Sequence, residues 1–550
     1  MTKKMENQDS TVIANETDLG NGSLSENESQ SDGDGEKGLH DSLIGNNQLR
    51  ELNSQVLTNN MPYTIMKKSE MTFMTVILTM IGLCSSISMP IYWTALTEIQ
   101  DDFHITAEQA NMTVTAYLIF QAIAPVFISS AGDYFGRRPL VLICLVGGVA
   151  ANVGLAVSNT YWLIILLRCI LATFVAPTIS LNSGITGDFT TRRNRGGILG
   201  YVSGFTLIGQ GLAPFLGSVF DSRWNWRAIF WFSAAFDGFV LFMAFVFLPE
   251  TRRTIVGNLS VPPKSILNKA PILLHYSKRL LDKEGRSLEP KSETRFNPFK
   301  PFMLLRELEI TLILLPCSLF FATWTMSQVS LTTSLSRDYH YSSLKVGLCF
   351  FAPGISTIIG TIVSGKSLNW IYKRNKNAYI KKLGEMKNPQ NAPPFNIIRA
   401  RLCLSVVPTS LMAACCITYG WCLEYKEPVA VILVLSFLLT FGVMYTLNVA
   451  PTLLVDLHPR QSGGSTSLNN LFRCGMSAIF VSCVSKMNQS MSLGGTYTLM
   501  GAFCIFGIII LQMVMVYSKN LMERKRLRDL AYKSVSYTHL RAHETRRHVV

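Results

Sequence analysis

Uncharged apolar stretches of about 20 residues recur twelve times along the chain, and this recurrence limits the possible folds more than any other feature. Each stretch is long enough to cross the roughly 30 Å hydrocarbon core of a bilayer as a helix. Six stretches precede the polar segment 252–306 and six follow it, which is the arrangement expected of two repeated halves. These predicted spans lie approximately at 72–94, 110–130, 140–157, 162–186, 197–219, 228–248, 310–331, 346–364, 403–421, 428–448, 465–485 and 494–517. The predicted fold class is an all-α membrane protein with twelve transmembrane helices in two six-helix halves.

Composition supports a membrane protein and sets the domain plan. Only 15% of the 550 residues are Asp, Glu, Lys or Arg, whereas soluble proteins contain about 25%. The final stretch resembles translated sequencing-adapter sequence, so 536–550 is a candidate for non-native sequence. The predicted plan is a disordered cytoplasmic tail 1–70, an N-terminal half 71–251, a cytoplasmic central loop 252–306, a C-terminal half 307–518 and a cytoplasmic tail 519–550.

The net charge of +15 is a signature of membrane orientation. The loops after spans 2, 4, 6, 8 and 10 hold 27 Lys and Arg, and the five loops on the other side hold six. Because cytoplasmic loops carry the excess of Lys and Arg, the first set and both termini are predicted to be cytoplasmic. Nucleic acid is not an expected partner. The twelve cysteines lie in or beside apolar runs without ligand spacing, so no metal site and no cofactor are predicted.

The loop between spans 2 and 3 carries the first motif, Gly132-Asp133-Tyr134-Phe135-Gly136-Arg137-Arg138-Pro139. Glycine permits a tight turn and a close approach of helices, and proline suits the first turn of the next helix. The pattern G-D-x-x-G-R-R in a twelve-span chain resembles the loop 2–3 signature of the major facilitator superfamily. This resemblance implies a conformational latch in the outward-facing state. Its residues are Gly132, Asp133, Gly136, Arg137 and Arg138.

Span 5 carries a second motif of small residues. Small side chains on one face let two helices pack closely, and a proline permits a bend. The spacing resembles the superfamily's antiporter pattern G-x8-G-x3-G-P-x2-G-G, although Ala213 and Ser218 stand where glycines are usual. By that resemblance the pattern favours export over uptake. The residues of this antiporter motif are Gly200, Gly209, Ala213, Pro214 and Gly217.

Two charges inside the spans are the candidates for proton coupling. Arg168 in span 4 costs roughly 2.5–3.5 kcal/mol to insert unless it is paired or faces water. It stands at the arginine of the family's R-x-x-Q-G element, which implies a role in proton transfer, although Leu171 and Ala172 replace the glutamine and glycine. Asp237 in span 6 is a carboxyl that could cycle between charged and neutral forms. Its alternative role is a structural partner for Arg168 or another polar group.

A candidate substrate pocket follows from aromatic and polar side chains predicted to lie near the midplane. Aromatic faces suit planar or cationic amphiphiles, and the interface between the halves is the expected place for a transported solute. Each of these side chains has helix packing as its simpler explanation. The pocket candidates are Tyr92, Trp93, Gln121, Phe321, Trp324, Gln328, Tyr445, Asn448 and Arg473.

Residues 70–520 as a whole resemble the fungal branch of the twelve-span drug:proton antiporters, the group of quinidine-resistance, monocarboxylate-resistance and dityrosine transporters. The resemblance rests on these motifs together with Trp226–Phe232, Leu248–Thr251 and Asn469–Cys474. It implies a proton-coupled exporter of drugs or organic solutes that works by alternating access, and not an enzyme. The expected partners are a small organic substrate, protons and the lipid bilayer, with a monomer in the plasma membrane, and the prospore and vacuolar membranes as alternatives.

Two other functions stay open at this point. A proton symporter or facilitative importer of a small nutrient would use the same fold. A transport-silent receptor or scaffold would instead recruit partners through its tail and central loop.

Overall fold

The protein is helical throughout the part of the chain that the structure describes. The computed structural model describes residues 63–190, 192–263, 265–271, 299–385, 395–457 and 462–547, and no β-strand occurs within these ranges. The all-α fold class is therefore confirmed. Residues 1–62 and most of the central loop lie outside the described residues, and the domain boundaries stay predictions.

The spans of the first half begin and end close to the predicted positions. Most are longer than the predicted apolar stretch because polar residues continue the helix into the headgroup layers. With these layers included, a bilayer is about 40–45 Å thick. After span 1, the 3₁₀ turn Pro90–Tyr92 and the short helix Leu96–Asp102 lead to span 2. Spans 1 to 6 cover Lys68–Ser88, Ala107–Phe135, Arg137–Ala156, Tyr161–Val175 with Pro177–Phe189, Arg192–Trp224 and Arg227–Phe247.

The second half repeats this plan. Spans 7 to 10 cover Leu308–Arg337, Ser343–Cys349 with Phe351–Gly384, Val406–Glu424 and Val429–Leu457. Spans 11 and 12 lie in the helical stretch Ser462–Arg547, which reverses at Ser492, where φ is 62°. Shorter pieces are the helices Arg253–Val256 and Ile397–Leu402 and the 3₁₀ turns Ile266–Asn268 and Lys300–Arg306.

Within the described residues, ten helices are long and apolar enough to cross a membrane. One of these, Gly464–Leu521, contains the reversal at Ser492 and so accounts for spans 11 and 12. Span 5 is not among the ten, although Arg192–Trp224 is 33 residues long. Its helix nevertheless covers the predicted stretch 197–219. Counted in this way, the twelve predicted spans are all present.

Span 6 shows how the helices divide between lipid and core. Phe239, Phe242 and Phe245 lie on one stripe and are 51–63% exposed, whereas Val240 and Ala244 on the other stripe are fully buried. A stripe of exposed aromatic side chains is stable only against lipid tails, so this pattern indicates the membrane-facing side of the helix. Asp237 lies on the inward stripe of this span.

The connections divide the bundle into two ends. Because successive spans run in opposite directions, the loop Gly132–Pro139 and the central loop lie at one end, which we call the latch face. The short helix Leu96–Asp102, the end of span 5 and the start of span 8 lie at the other end, which we call the opposite face.

Candidate functional site

The charge cluster on the latch face brings together four spans. Arg137 begins span 3, and its guanidinium lies 2.5 Å from Asp133 Oδ1 and 3.3 Å from Asp188 Oδ2. Arg252, after span 6, lies 3.3 Å from the same Asp133 oxygen. Gly184 on span 4 leaves room for the guanidinium, since a Cβ there would lie 2.5 Å from Arg137 Cζ. The cluster thus connects spans 2, 3, 4 and 6, and its role as a latch stays a prediction.

Glu250 caps span 3 from the end of span 6, and the sequence motif did not identify it. Its oxygens accept hydrogen bonds from the backbone N–H groups of Arg137 and Arg138, at 2.9 and 3.1 Å. These N–H groups have no partner within the helix, and the helix dipole favours a negative charge there. Gly136 has a φ of 113°, and a Cβ there would lie 2.6 Å from Glu250 Oε2. Both the backbone conformation and this close approach require a glycine.

The second arginine of the motif has different partners. Arg138 Nε donates to the carbonyl oxygen of Leu248 at 2.8 Å, and Nη2 donates to that of Phe245 at 2.7 Å. Its Nη1 donates to the carbonyl oxygen of Leu267 in the central loop. Arg138 therefore fastens the end of span 6 and the central loop, whereas Arg137 holds the carboxylates. Gly132, the first glycine, packs against Leu181 of span 4.

The small residues of span 5 face two different neighbours. A Cβ at Gly209 would lie 2.8 Å from Leu83 Cδ2, and one at Gly217 would lie 2.5 Å from the carbonyl oxygen of Ile91, so both glycines admit span 1. Gly211, outside the predicted pattern, meets Gly354 of span 8 backbone to backbone, since a Cβ there would lie 2.8 Å from the Gly354 carbonyl oxygen. These approaches bring spans 1, 5 and 8 together.

The departure from the pattern at Ser218 is matched across the interface. A Cβ at Gly347 of span 8 would lie only 1.7 Å from Ser218 Oγ. Gly347 of span 8 thus leaves the space that the side chain of Ser218 occupies. Ala213 is fully buried, and Pro214 lies inside the helix. Gly200 lies outside the residues whose packing the structure describes.

Arg168 is fully buried on span 4 and is held by aromatic rings. Its Cζ lies 3.7 Å from the centroid of the Tyr92 ring and 4.6 Å from that of Tyr117. Such cation–π contacts contribute about 2 kcal/mol or more when water is excluded. None of the guanidinium nitrogens has a hydrogen-bond partner within the described ranges, and no ion pair joins Arg168 to Asp237 there. The alternative role of Asp237 as the ion-pair partner of Arg168 is therefore not realised in this conformation.

Asp237 instead has neutral neighbours. Its side chain is buried, and Oδ2 accepts a hydrogen bond from Asn152 Nδ2 of span 3 at 2.9 Å. Cys84 of span 1 lies beside the same carboxyl. Ser88 and Ser233 help to line an adjoining cavity of about 10 Å³, roughly the space that one water needs. Asn152 gave no sequence signal, because a single asparagine in an apolar helix belongs to no motif.

Four of the predicted pocket residues form one cluster between the two halves. The ring centroids of Trp93, which follows the 3₁₀ turn after span 1, and of Trp324 on span 7 are 5.6 Å apart, and that of Phe321 lies 5.5 Å from Trp324. Arg473 of span 11 places Cζ 4.5 Å from the Phe321 ring. Phe350, which joins the two helices of span 8 and is not among the predicted pocket residues, stacks on Trp93 with ring centroids 6.4 Å apart. In this conformation the aromatic cluster joins the halves and is closed.

The other pocket candidates lie apart from this cluster or have different roles. Tyr92 supports Arg168, and its hydroxyl lies 2.8 Å from Thr113 Oγ1. The carbonyl oxygen of Gln121 accepts from Asn470 Nδ2 at 2.7 Å, and the Gln328 amide donates to Ser327. The remaining two hold span 10 to span 8: Tyr445 bonds Ser367 at 3.0 Å and Asn448 bonds Ser364 at 2.7 Å.

An open cavity of about 440 Å³ lies on the opposite face, between the halves. Hydroxyl and amide side chains line it from both sides, including Thr97 and Asn111 of the first half and Ser330 and Asn488 of the second. None of the predicted pocket residues lines this cavity. The structure therefore separates a polar space near the surface from the closed aromatic cluster deeper in the bundle.

Comparisons with known proteins agree with this arrangement. The sequence model of the Major Facilitator Superfamily matches residues 78–481, which include parts of both halves. In the solved structure of the xylose transporter XylE from E. coli, in a partially occluded inward open conformation, the fold is similar with a TM-score of 0.58. That likeness covers 81% of this chain and 98% of XylE at 14% identity, so it concerns the fold alone.

Curated fungal proteins are similar over most of their length. The MFS antiporter QDR1 of Candida albicans is 40% identical over 448 residues, which are 81% of this chain and 87% of that protein. The multidrug transporter QDR2 of Candida glabrata is 39% identical over 473 residues, which are 82% of this chain and 80% of that protein. Quinidine resistance protein 1 of Saccharomyces cerevisiae is 36% identical over 492 residues, which are 85% of this chain and 87% of that protein. The chain therefore belongs to the major facilitator superfamily, within its fungal quinidine-resistance group.

Proposed function

We propose that the protein exports organic solutes, including drugs, in exchange for protons. The relatives named antiporters and multidrug transporters support this function, because their similarity extends over both halves. In this proposal the latch face is cytoplasmic, the opposite face is external and the chain acts as a monomer in the plasma membrane. The Lys and Arg count of the loops supports this orientation.

The observation that carries proton coupling is the carboxyl of Asp237, buried in mid-span beside neutral groups. A charged carboxylate without a cation is costly in a membrane interior, and protonation removes that cost. Asn152 donates to the charged form, and its amide oxygen could accept from the protonated form. The site can therefore hold either form while the solute pathway changes its exposure.

Contacts between the halves support alternating access. Toward the latch face, the Ser467 hydroxyl donates to the carbonyl oxygen of Pro125 at 3.1 Å, and Asn470 bonds Gln121. Toward the opposite face, Asn111 donates to Ser485 at 2.9 Å. Because both sets of contacts are present together, the halves touch on both faces, which supports a conformation between two fully open states. A rocking motion would break one set at a time.

The aromatic cluster supports planar or cationic amphiphiles as substrates. Trp93, Phe321 and Trp324 offer ring faces, which attract cations and stack on flat molecules. Arg473 lies beside them and would favour solutes that also carry an acceptor group. A solute that opens this cluster would replace ring–ring contacts with ring–solute contacts of similar kind.

Transport into inverted membrane vesicles tests the proposal. With the latch face outward and an acidic interior, a fluorescent organic cation should accumulate inside, and a protonophore should abolish the accumulation. Asp237→Asn should lower accumulation at least tenfold while Asp237→Glu retains part of it, because only the glutamate can still bind and release a proton. Glu385→Gln, at an exposed acid on the latch face, is the control and should transport normally.

Three results would contradict the proposal. Accumulation that survives the protonophore would point to a facilitator, and solute movement in the same direction as protons would point to a nutrient symporter. A correctly inserted protein that moves no compound of a broad panel would favour the receptor or scaffold.

A further inference from the structure

Two carboxyls meet on the opposite face at the junction of the two halves. Asp221, at the end of span 5, is 3% exposed, and its Oδ2 accepts a hydrogen bond from the Ser343 hydroxyl at the start of span 8. Its other oxygen, Oδ1, is buried and has no conventional donor within the described residues. Glu98, on the short helix after span 1, lies within hydrogen-bonding distance of Asp221. A hydrogen bond between two carboxyls requires that they share a proton.

The pair sits beside close helix contacts, both within the first half and between the halves. Gly217, four residues before Asp221, lies against Thr94, four residues before Glu98: a Cβ at Gly217 would lie 2.7 Å from Thr94 Oγ1. Gly347, four residues after Ser343, lies against Ser218. The carboxyls therefore tie together spans 1, 5 and 8 directly beside the tight contacts of the antiporter motif.

The other charged groups nearby do not neutralise the pair. Asp101 and Asp102, on the same short helix as Glu98, pair with Arg337 of span 7 and Arg227 of span 6, each at 3.3 to 3.4 Å. Both of these cations are thus directed to other acids.

Other charged or titratable groups lie on the neighbouring elements, among them His104, just after the short helix, and His340, just before span 8, which are both exposed. Arg223 at the end of span 5 and Lys345 of span 8 are exposed, and Lys345 lies over the Tyr341 ring. Glu108 at the start of span 2 is also exposed. Among the described residues, no ion pair joins a cation to Glu98 or Asp221. Burial, together with the neighbouring carboxylate of Asp221, raises the pKa of Glu98 to about 8.

We propose that Glu98 and Asp221 form a proton-binding pair that holds the opposite face closed, separate from the proton site at Asp237. With the proton, the pair is a single anion bridged by a hydrogen bond and supported by Ser343. Without it, two carboxylates repel each other at contact distance, which pushes the short helix Leu96–Asp102 away from span 5 and loosens span 8.

The sign of the pH dependence follows from the raised pKa. The carboxyl keeps its proton in acid, so the closed contact is present below the raised pKa and is lost as the pH rises through it. The place of this step in the transport cycle rests on the proposed function. In a proton exchanger, protons arriving from the external side would close that side after the solute has left. Acid on that side would thus promote the return step of the cycle.

Hydrogen exchange of the whole protein in lipid nanodiscs tests the pair without a transport assay. Peptides covering 96–102 and 343–349 should exchange on the order of tenfold faster at pH 8.5 than at pH 6.0, after correction for the intrinsic pH dependence, because one proton changes an equilibrium by at most about tenfold per pH unit. Glu98→Gln should keep both peptides protected at both pH values, since its amide donates the same hydrogen bond permanently. Asp221→Asn should do likewise from the other side of the pair, and Glu108→Gln is the matched control that should behave as the wild type.

Two results would overturn the proposal: no pH response of these peptides in the wild type, or an undiminished response in Glu98→Gln and Asp221→Asn. The wild-type measurement decides even where a variant does not fold. The result is also separate from the proposed function. Loss of proton-coupled export in vesicles would leave the pH response of these peptides unchanged, and a missing pH response would leave export through Asp237 possible.

Discussion

The latch faces of the two halves differ in sequence but share one bridge. In the first half, Arg137 at the start of span 3 binds Asp188 at the end of span 4. In the second half, Arg401 just before span 9 lies 2.8 Å from Asp456 at the end of span 10. Spans 3 and 4 correspond to spans 9 and 10 in a six-plus-six repeat, so the two bridges occupy equivalent places. The corresponding second-half segment Gly365–Asn369, within span 8, lacks the Asp and the paired Arg of the first-half motif, yet the bridge is present in the second half.

The surroundings of the two bridges explain the difference. Arg137 has two acidic partners, and Glu250 caps the same helix start. Arg401 has one acidic partner, a long contact to the carbonyl oxygen of Leu368 at 3.5 Å and a ring contact with Tyr372 at 4.4 Å. The motif therefore indicates the extra anchoring of the first half, not the presence of the bridge itself.

Removing the first-half arginine should have the largest effect. Arg137→Ala leaves the carboxylate of Asp188, which is 12% exposed, without its nearest cation, and breaking a buried pair costs about 3–5 kcal/mol. Thermal unfolding in detergent should show this loss, and transport in inverted vesicles should fall at least tenfold. Arg137→Lys should recover only part, because an ammonium cannot hold two carboxylates in the same fork geometry. Wild-type stability of Arg137→Ala would show that the cluster is not a structural element.

The second-half bridge should contribute less. Arg401→Ala should lower stability by about 1–3 kcal/mol, because the carboxylate of Asp456 is one-third exposed and water can replace part of the interaction. Transport should fall a few-fold. A double-mutant cycle of Arg401→Ala with Asp456→Ala, compared with one of Arg137→Ala with Asp188→Ala, measures both bridges directly. An equal or larger coupling energy in the second half would reverse the ranking.

An exposed ion pair between the halves gives the smallest expected effect and a baseline for the others. Arg337 and Asp101 are 49% and 76% exposed and lie 3.3 Å apart on the opposite face. Exposed pairs contribute about 0–1 kcal/mol because water screens the charges. Asp101→Asn should therefore leave the unfolding temperature within about 2 °C of the wild type and leave transport unchanged. A large loss would mean that charges across the halves matter more than burial does.

Much of the fold could be predicted because a bilayer constrains sequence so strongly. The twelve spans follow from apolar length alone, and only helices satisfy every backbone group in lipid within one segment. Residues of the motifs were found because local geometry requires glycine at fixed positions: the positive φ at Gly136 and the close approach of backbone at Gly217. The role of Glu250, which lies in the resemblance segment Leu248–Thr251, and that of Asn152, which belongs to no motif, could not be found in this way. Their roles depend on which spans are neighbours, and spacing along one helix does not encode that.

The pocket prediction shows the same limit. Among the pocket candidates, Trp93, Phe321 and Trp324 are neighbours, whereas Tyr445 and Asn448 bond span 8 instead, and a substrate pocket at this place stays a prediction. The sequence alone determined the number of helices, the family and the positions of the intramembrane charges, because each of these depends on residues in a single segment. Only the tertiary structure decided that Arg168 rests on tyrosine rings, that Arg401 repeats the bridge of Arg137 and that Glu98 meets Asp221. Each of those contacts joins separate spans, and its energy depends on packing between helices.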